Sequence, residues 1–368
     1  MGFMVGTANA VAPFIGGFST ITPIASTVPR NGDVNPYGVA VSPVTRGKLI
    51  QGHVLVSNFN DKANEQGTGT TIVQIGPGGA FDLFAQIDAQ NLPGPCPGGV
   101  GLTTALVVLR SGWVIVGSLP TIHGNSATSK AGCLIVLNDR GLPVETISGD
   151  LINGPWDMTA FDGGTLAVLF VTNVLNGTVA AGGATVFHGT VVRLTLALPN
   201  QNNQGDDNGN DNGEGPRVIM RTKIGSGFGE HTDPTALVIG PTGVGLGLDG
   251  SLYVADTVGN GISKITDALT RTTDAGTGKQ ITSGLLLNGP LGLAIAPNGD
   301  ILTVNSLDGK IVETTTSGSQ LTSFTLDNTV NPPPTLNGAG ALFGLAVVPG
   351  GGGVYFVDDN INNLNLFH

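Results

Sequence analysis

Three histidines, one out-of-place aspartate and a column of aromatic residues are the groups in this chain best suited to chemistry. His123 stands in L-P-T-I-H-G-N, His188 in A-T-V-F-H-G-T and His231 in G-E-H-T-D-P. Three neutral imidazoles with an open fourth position form a catalytic zinc set, and they suit copper as well. Glu230 or Asp233 could add a carboxylate or orient a ring through a hydrogen bond. Calcium is the poorer candidate, because it asks for six to eight oxygen ligands. The competing reading is three idle loop histidines, too far apart to share an ion unless their loops fold inward. His53 begins a strand and His368 ends the chain, and both read as structural.

These groups acquire positions from a repeat. Residues 288–305 read N-G-P-L-G-L-A-I-A-P-N-G-D-I-L-T-V-N: an apolar strand, a P-N-G turn and a second strand ending on an amide. Residues 240–256, 35–58, 342–358, 154–173 and, more loosely, 102–118 are variants of it. A unit reused at spacings of about 50 to 85 residues points to a propeller array. Two further strand-like runs follow most copies, which makes four antiparallel strands per blade. The last copy has only one, at residues 363–367, before the chain stops. Residues 18–26 are the one unassigned strand-like run, so they are expected to pair there and remove two open sheet edges. The expected fold is therefore an all-β, six-bladed β-propeller over residues 18–368, closed by an N-terminal strand in the last blade.

On this frame His123, His188 and His231 fall in connections of one face, on consecutive blades. Aligning the copies gives a slot at the mouth of the central channel, filled by Tyr37, Thr104, Trp156, Thr242, Leu291 and Phe343. Aromatic faces at a mouth bind sugars, apolar ligands or cations, so Tyr37, Trp156 and Phe343 are candidate ligand-binding residues; the alternative is wedge packing between blades. The next slot reads Gly38, Ala105, Asp157, Gly243, Gly292 and Gly344. Small residues suit a crowded axis, and Asp157 breaks the pattern. A carboxylate there is partly desolvated and its pKa rises, which makes Asp157 the candidate catalytic group; the alternative is a cap on backbone N–H groups. The blade-end residues Asn58, Asn173, Asp256, Asn305 and Asp358 recur with the repeat and read as turn-forming.

The motifs G-x-L-Y-V-A-D-T-x-x-N-x-I at 250–262 and G-P-L-G-L-A-I-A-P-N-G-D-I at 289–301 resemble the NHL-repeat family of six-bladed propellers. The resemblance covers about residues 35–368 and implies the fold. NHL-like and related propellers include scaffolds, sensor domains, lactonase-like hydrolases and the lyase that completes peptide amidation, so it implies no single function. That lyase is similar in using a histidine-bound metal at its mouth. Lactonase-like propellers hold calcium with channel Glu, Asn and Asp side chains, a pattern that Asp157 alone fits here.

Cys96 and Cys133 are the only cysteines among 368 residues. One lies in the loop leading into blade two and the other at the start of that blade's third strand, at the same end, so a disulfide is expected in an oxidising compartment. Ala8-Asn9-Ala10 has the form of a signal-peptidase site without a basic start, so residues 1–17 read as an N-terminal arm or the remnant of an export signal. Residues 199–216, Q-N-N-Q-G-D-D-N-G-N-D-N-G-E-G at their centre, interrupt the last hairpin of blade three with nothing apolar to bury.

Charged residues make up 11% of the chain and net charge is −11, with no basic stripe, which argues against nucleic acid. No apolar run approaches the ~18–20 residues of a spanning helix. The leading expectation is a secreted or periplasmic propeller binding a small molecule, glycan or protein on the face with the inter-blade loops. The rivals are a metal-dependent hydrolase or lyase at that face, using zinc or copper, and a structural or assembly subunit.

Overall fold

The computed structural model describes residues 12–149, 151–199 and 215–368; the A-x-A motif and most of the polar insertion lie outside them. Its six antiparallel sheets are the blades of one propeller. Blade one is built from Val34–Val41, Val54–Asn60, Thr71–Ile75 and Phe81–Gln86, and blade two from Leu102–Val108, Val114–Ser118, Cys133–Leu137 and Pro143–Ile147. Blade three uses Pro155–Asp162, Leu166–Asn173, Val186–Ala197 and Arg217–Asp233. Blade four uses Pro241–Leu246, Leu252–Asp256, Gly261–Ile265 and Lys279–Ser283, and blade five Pro290–Ile295, Ile301–Asn305, Lys310–Thr314 and Gln320–Thr325. Leu342–Val347, Val354–Asp358 and Asn363–Phe367 form blade six, whose fourth strand is Ile21–Ser26. The closure is antiparallel, running from Ile21 opposite Phe367 to Ser26 opposite Asn363.

Each blade is a sheet with two apolar faces, so it must be covered on both sides. Six apolar clusters occupy the six seams between neighbouring blades. Ile115, Leu134 and Val136 of blade two, for instance, pack on Leu169, Val171 and Leu194 of blade three, all with no exposed surface. At about 25 cal/mol per Å2 of apolar area, these seams are the main stabilising term.

The innermost strands share one irregularity. Each pairs with its neighbour at its first residues and then slips: between Pro36 and Val39, Leu102 and Leu106, Pro155 and Met158, Pro241 and Val244, Pro290 and Leu293, and Leu342 and Leu345. A bulge frees backbone N–H groups from the ladder, and side chains of the second strand take some of them. Ser57 Oγ accepts from Gly38 N at 2.9 Å and donates to Thr103 O of blade two at 2.8 Å. Thr172 Oγ1 accepts from Asp157 N at 3.0 Å and donates to Thr242 O of blade four at 2.8 Å. At the bulge the inner strands nearly touch. A Cβ at Gly292 or Gly344 would overlap the carbonyl oxygen of Phe343 or Tyr37 on the next blade.

The N-terminal arm is bound. Glu313, fully buried in blade five, accepts from Phe14 N at 2.7 Å and Ile15 N at 2.9 Å, and Ile15 is buried. Two features depart from the sequence reading. The third and fourth strands of blade three extend far past the other blades, so His188 and His231 stand in strands, not in connections. Strand pairing continues because residues 186–189 find partners at 228–230. The last strand then folds back as a short extra strand, Leu237–Ile239, paired with 231–233.

Cys96 and Cys133 form the expected disulfide, with Cα atoms 5.2 Å apart. It closes a loop with a sequence separation of 37, so loop-closure entropy gives about 3–4 kcal/mol. Replacing both cysteines (Cys96→Ser with Cys133→Ala) is expected to lower the calorimetric melting temperature by several degrees; an unchanged melting temperature would show that the bridge does not restrain the unfolded chain.

Candidate functional site

An inner strand starts at the face carrying the inter-blade loops and the disulfide, and runs toward the opposite face. The six mouth-slot residues lie within the bulge, and the structure packs four of them, Tyr37, Trp156, Leu291 and Phe343, into one cluster. Tyr37 stacks on Phe59 and Phe343 with centroids 4.3 and 3.9 Å away, and Trp156 lies at 6.2 Å. Tyr37, Trp156, Leu291 and Phe343 are each at most 9% exposed. The extra strand of blade three covers the group: Leu237 and Val238 are buried against it, and Trp156 Nε1–H donates to Val238 O at 3.3 Å. Leu237 holds φ at +62°, a left-handed conformation unusual for leucine. The aromatic residues thus plug the channel at this end. The sequence signal for the cover was the short apolar run A-L-V-I between D-P and G-P, which reads as a plain connection.

Below the plug the axis opens into a cavity of about 330 Å3. Its wall comes from the middle and lower parts of all six inner strands, among them Val39, Leu106, Met158, Val244, Leu293 and Leu345. The lining side chains are mostly apolar, with Asp157, Thr104 and Thr159 the exceptions, yet the surface open to the cavity is mainly polar. Asp157 is 7% exposed. Its Oδ1 accepts from Met158 N at 2.8 Å and its Oδ2 from Val244 N of blade four at 3.1 Å. Burial raises its pKa to about 8, against the opposing pull of those two N–H groups. The carboxyl is thus both the backbone cap and the desolvated acid that the sequence allowed as alternatives. Thr104 is 3% exposed, and its Oγ1 has no hydrogen-bond partner.

The histidines do not converge. His123, 83% exposed at its side chain, pairs with Glu65 at 3.3 Å. The ring of His188 contacts Asn176 O through Nδ1 at 3.0 Å. His231 keeps a buried Nδ1 without a partner. Among the described residues no three of His, Cys, Asp and Glu are grouped to hold a metal. His188 and His231 stand on the paired, lengthened strands of blade three, where side-chain direction follows the pleat, while His123 is held against Glu65. Glu230 is buried beside His188, and it accepts from Asn176 N at 2.8 Å and Asn176 Nδ2 at 3.3 Å. Burial pushes its pKa to about 7. Calcium is poorly served at the axis too, since among the described residues Asp157 is the one carboxylate lining the cavity.

One acidic pair was not visible in the sequence. Asp358, read there as a turn former, is 4% exposed and lies against Asp327, itself 8% exposed, from the loop between blades five and six. Burial and then the Asp327 charge raise its pKa to about 7. The two residues are far apart in the chain, and only the ring brings them together.

No protein-family model matches the sequence, and no curated protein matches it significantly. Solved structures do match in fold. Regucalcin from Agrobacterium tumefaciens, a calcium-binding protein, aligns with TM-score 0.55 and 13% identity over 93% of this chain and 92% of its own. A gluconolactonase from Xanthomonas campestris aligns with TM-score 0.52 and 11% identity over 95% of this chain and 97% of that one. A luciferin-regenerating enzyme gives TM-score 0.55 and 11% identity over 95% and 94%. These likenesses agree with the six-bladed ring and carry no residue-level assignment.

The raised carboxyls give the protein a pH signature. A folded-state pKa raised from 3.8 to about 8 means that the stability Asp157 contributes is whole below pH 4 and is lost as pH rises through 8. Glu230, Asp358 and Asp359, each raised to about 7, act with the same sign. Unfolding stability is therefore expected to fall from pH 5 to pH 9. Asp157→Asn, which mimics the neutral acid, should make that slope shallower by about 1.4 kcal/mol per pH unit. Denaturant titrations across this range check it, and parallel profiles for the two proteins would refute it.

Proposed function

We propose that this propeller is a binding protein that takes a small molecule into its axial cavity. The observation that supports the reading is the cavity itself: a chamber of about 330 Å3 on the axis, walled by all six inner strands, with the Asp157 carboxyl beside its closed end. Small-molecule sites are concave and largely pre-formed, and this volume is at the lower end of their usual range of about 300–1,000 Å3. The ligand would enter from the face of the strand-one to strand-two turns. This moves the site away from the inter-blade face, where the aromatic plug leaves no open mouth. The disulfide favours an oxidising setting outside the cytoplasm. Among the described residues no helix is long and apolar enough to cross a membrane. We also place the chain beside NHL-type propellers on the strength of the motifs at 250–262 and 289–301.

The hydrolase or lyase alternative would need a metal bound by His123, His188 and His231, and the separate partners of His123 and His188 speak against it. The enzymatic names of the fold neighbours do not restore it at their level of identity.

A thermal-shift screen of small molecules tests the proposal, with Ala346→Phe as the blocking variant. Ala346 lines the cavity and is half-buried, so an added ring would fill space with little disturbance to a seam. A ligand at 100 times its Kd is expected to stabilise the wild type by about 2.7 kcal/mol and the variant by far less. Equal shifts in both proteins, or stoichiometric metal lost when His123 and His231 become Ala, would overturn the reading.

A further inference from the structure

The cavity is edged by main chain, and its closed end by main-chain donors. We infer that it takes a small carboxylate anion, whose oxygens accept from the N–H groups of Leu293, Leu345, Val39 and Leu106 on four consecutive blades. The inference rests on the axial cavity being the binding site and adds the ligand's class and its seat.

The direction of these N–H groups follows from strand register. Each inner strand is the edge of its sheet, with a ladder on one side only. In an antiparallel ladder alternate residues bond to the neighbouring strand, and the residues between them point N–H and C=O the other way. At the far ends of four inner strands, Ser42, Leu109, Ala296 and Val348 donate into the ladder, to the carbonyls of His53, Trp113, Asp300 and Gly353. Three residues earlier, beyond the bulge, stand Val39, Leu106, Leu293 and Leu345. The odd offset turns their N–H groups away from the ladder, toward the axis. The same parity, counted from Gly163 and Gly247, puts the N–H groups of Met158 and Val244 there. Main chain facing inward accounts for a mainly polar cavity surface behind mostly apolar side chains.

Asp157 shows what these donors take. Its Oδ1 accepts from Met158 N of its own blade at 2.8 Å and its Oδ2 from Val244 N of the next at 3.1 Å. One carboxylate therefore spans two adjoining blades. The other five blades carry glycine or alanine in that slot and offer no side-chain acceptor. The slot stands beside the next blade's N–H elsewhere on the ring too: a Cβ at Gly344 would lie 3.2 Å from Val39 N, and one at Gly243 would lie against Leu293 N. Among the described residues no side chain or carbonyl accepts from the four N–H groups of Leu293, Leu345, Val39 and Leu106. Clustered main-chain N–H groups form anion-binding concavities, and a ligand carboxylate repeats the Asp157 bridge between two of these four blades. An ammonium has no acceptor to offer them. An alcohol has one, but hydrogen bonds to an ionised acceptor are about twice as strong.

The acid beside the seat sets when an anion is admitted. Asp157 is the one titratable side chain among the residues lining the cavity. Burial holds it neutral up to about pH 8, so it does not repel an anion at pH 7. Above pH 8 its own charge competes, and affinity for the anion must fall by about tenfold per unit. The net charge of −11 opposes an anion at long range, and physiological salt screens that field within about 8 Å.

Isothermal titration of the full chain with lactate, propane-1,2-diol and 1-aminopropan-2-ol tests this. At pH 7 lactate is expected to bind at least tenfold more tightly than the diol, and the amine not to bind. Ala346→Phe, which fills the cavity, should abolish lactate binding. From pH 7 to pH 9 lactate should weaken about tenfold in the wild type while the diol holds constant, and Asp157→Asn should flatten the lactate profile. The wild-type series decides the matter even if a variant fails to fold. Diol or amine binding equal to that of lactate, or lactate binding flat to pH 9, overturns the carboxylate seat and leaves the cavity to another ligand. Lactate bound equally by Ala346→Phe lies off the axis and overturns it as well. Failure of lactate to bind at pH 7 also overturns the seat, while the cavity reading is decided separately by the thermal-shift screen.

Discussion

Six β-strands converge on one axis, and the crowding there governs the rest of the molecule. Each inner strand bulges at the same place, and the bulge does two things. It turns a large residue inward above the narrowest point, and it leaves main-chain N–H groups for neighbouring side chains to satisfy. Glycine at Gly292 and Gly344 lets one blade lie against the carbonyl of the next. Ser57 and Thr172 stitch their seams with a hydroxyl that accepts within the blade and donates across it.

Asp157 is the exception to this scheme. Where glycine would give close backbone contact, its carboxyl bridges blade three to Val244 of blade four. The bridge satisfies a backbone N–H that the bulge leaves free, so the acid is well held. It also stays largely dehydrated, which raises its pKa. A structural cap and a titratable group at the closed end of a cavity are here the same side chain. The two ends of the axis differ: stacked rings and the Leu237–Ile239 strand close one, and the cavity runs from Asp157, beneath that closure, toward the other.

Pairing of distant residues follows from the ring. Residues 21–26 and 363–367 come together because a propeller sheet left one strand short exposes edges on two strands. The Asp358–Asp327 contact and the Glu313 clasp on Phe14 and Ile15 depend on that closure or on the seam beside it. Both bury carboxylates, and the cost is offset by the apolar burial of six seams.

The repeated strand–turn–strand motif was enough to specify six blades, their strand count and the closing strand, because each blade's alternation and turn chemistry are local. It also located Asp157 as an anomaly, since a carboxylate in a column of small residues is visible without coordinates, and it placed Cys96 and Cys133 at one end of one blade. It could not say whether Tyr37, Trp156 and Phe343 line an opening or fill it, because that depends on ring-to-ring distances across separate blades. Nor could it show that the blade-three strands run on and take His188 and His231 out of loops into paired strands, because the extension is stabilised only by the two strands pairing with each other. Periodicity records which face of a strand is apolar; which side chains from different blades meet at the axis is set by packing, and that the tertiary structure alone decides.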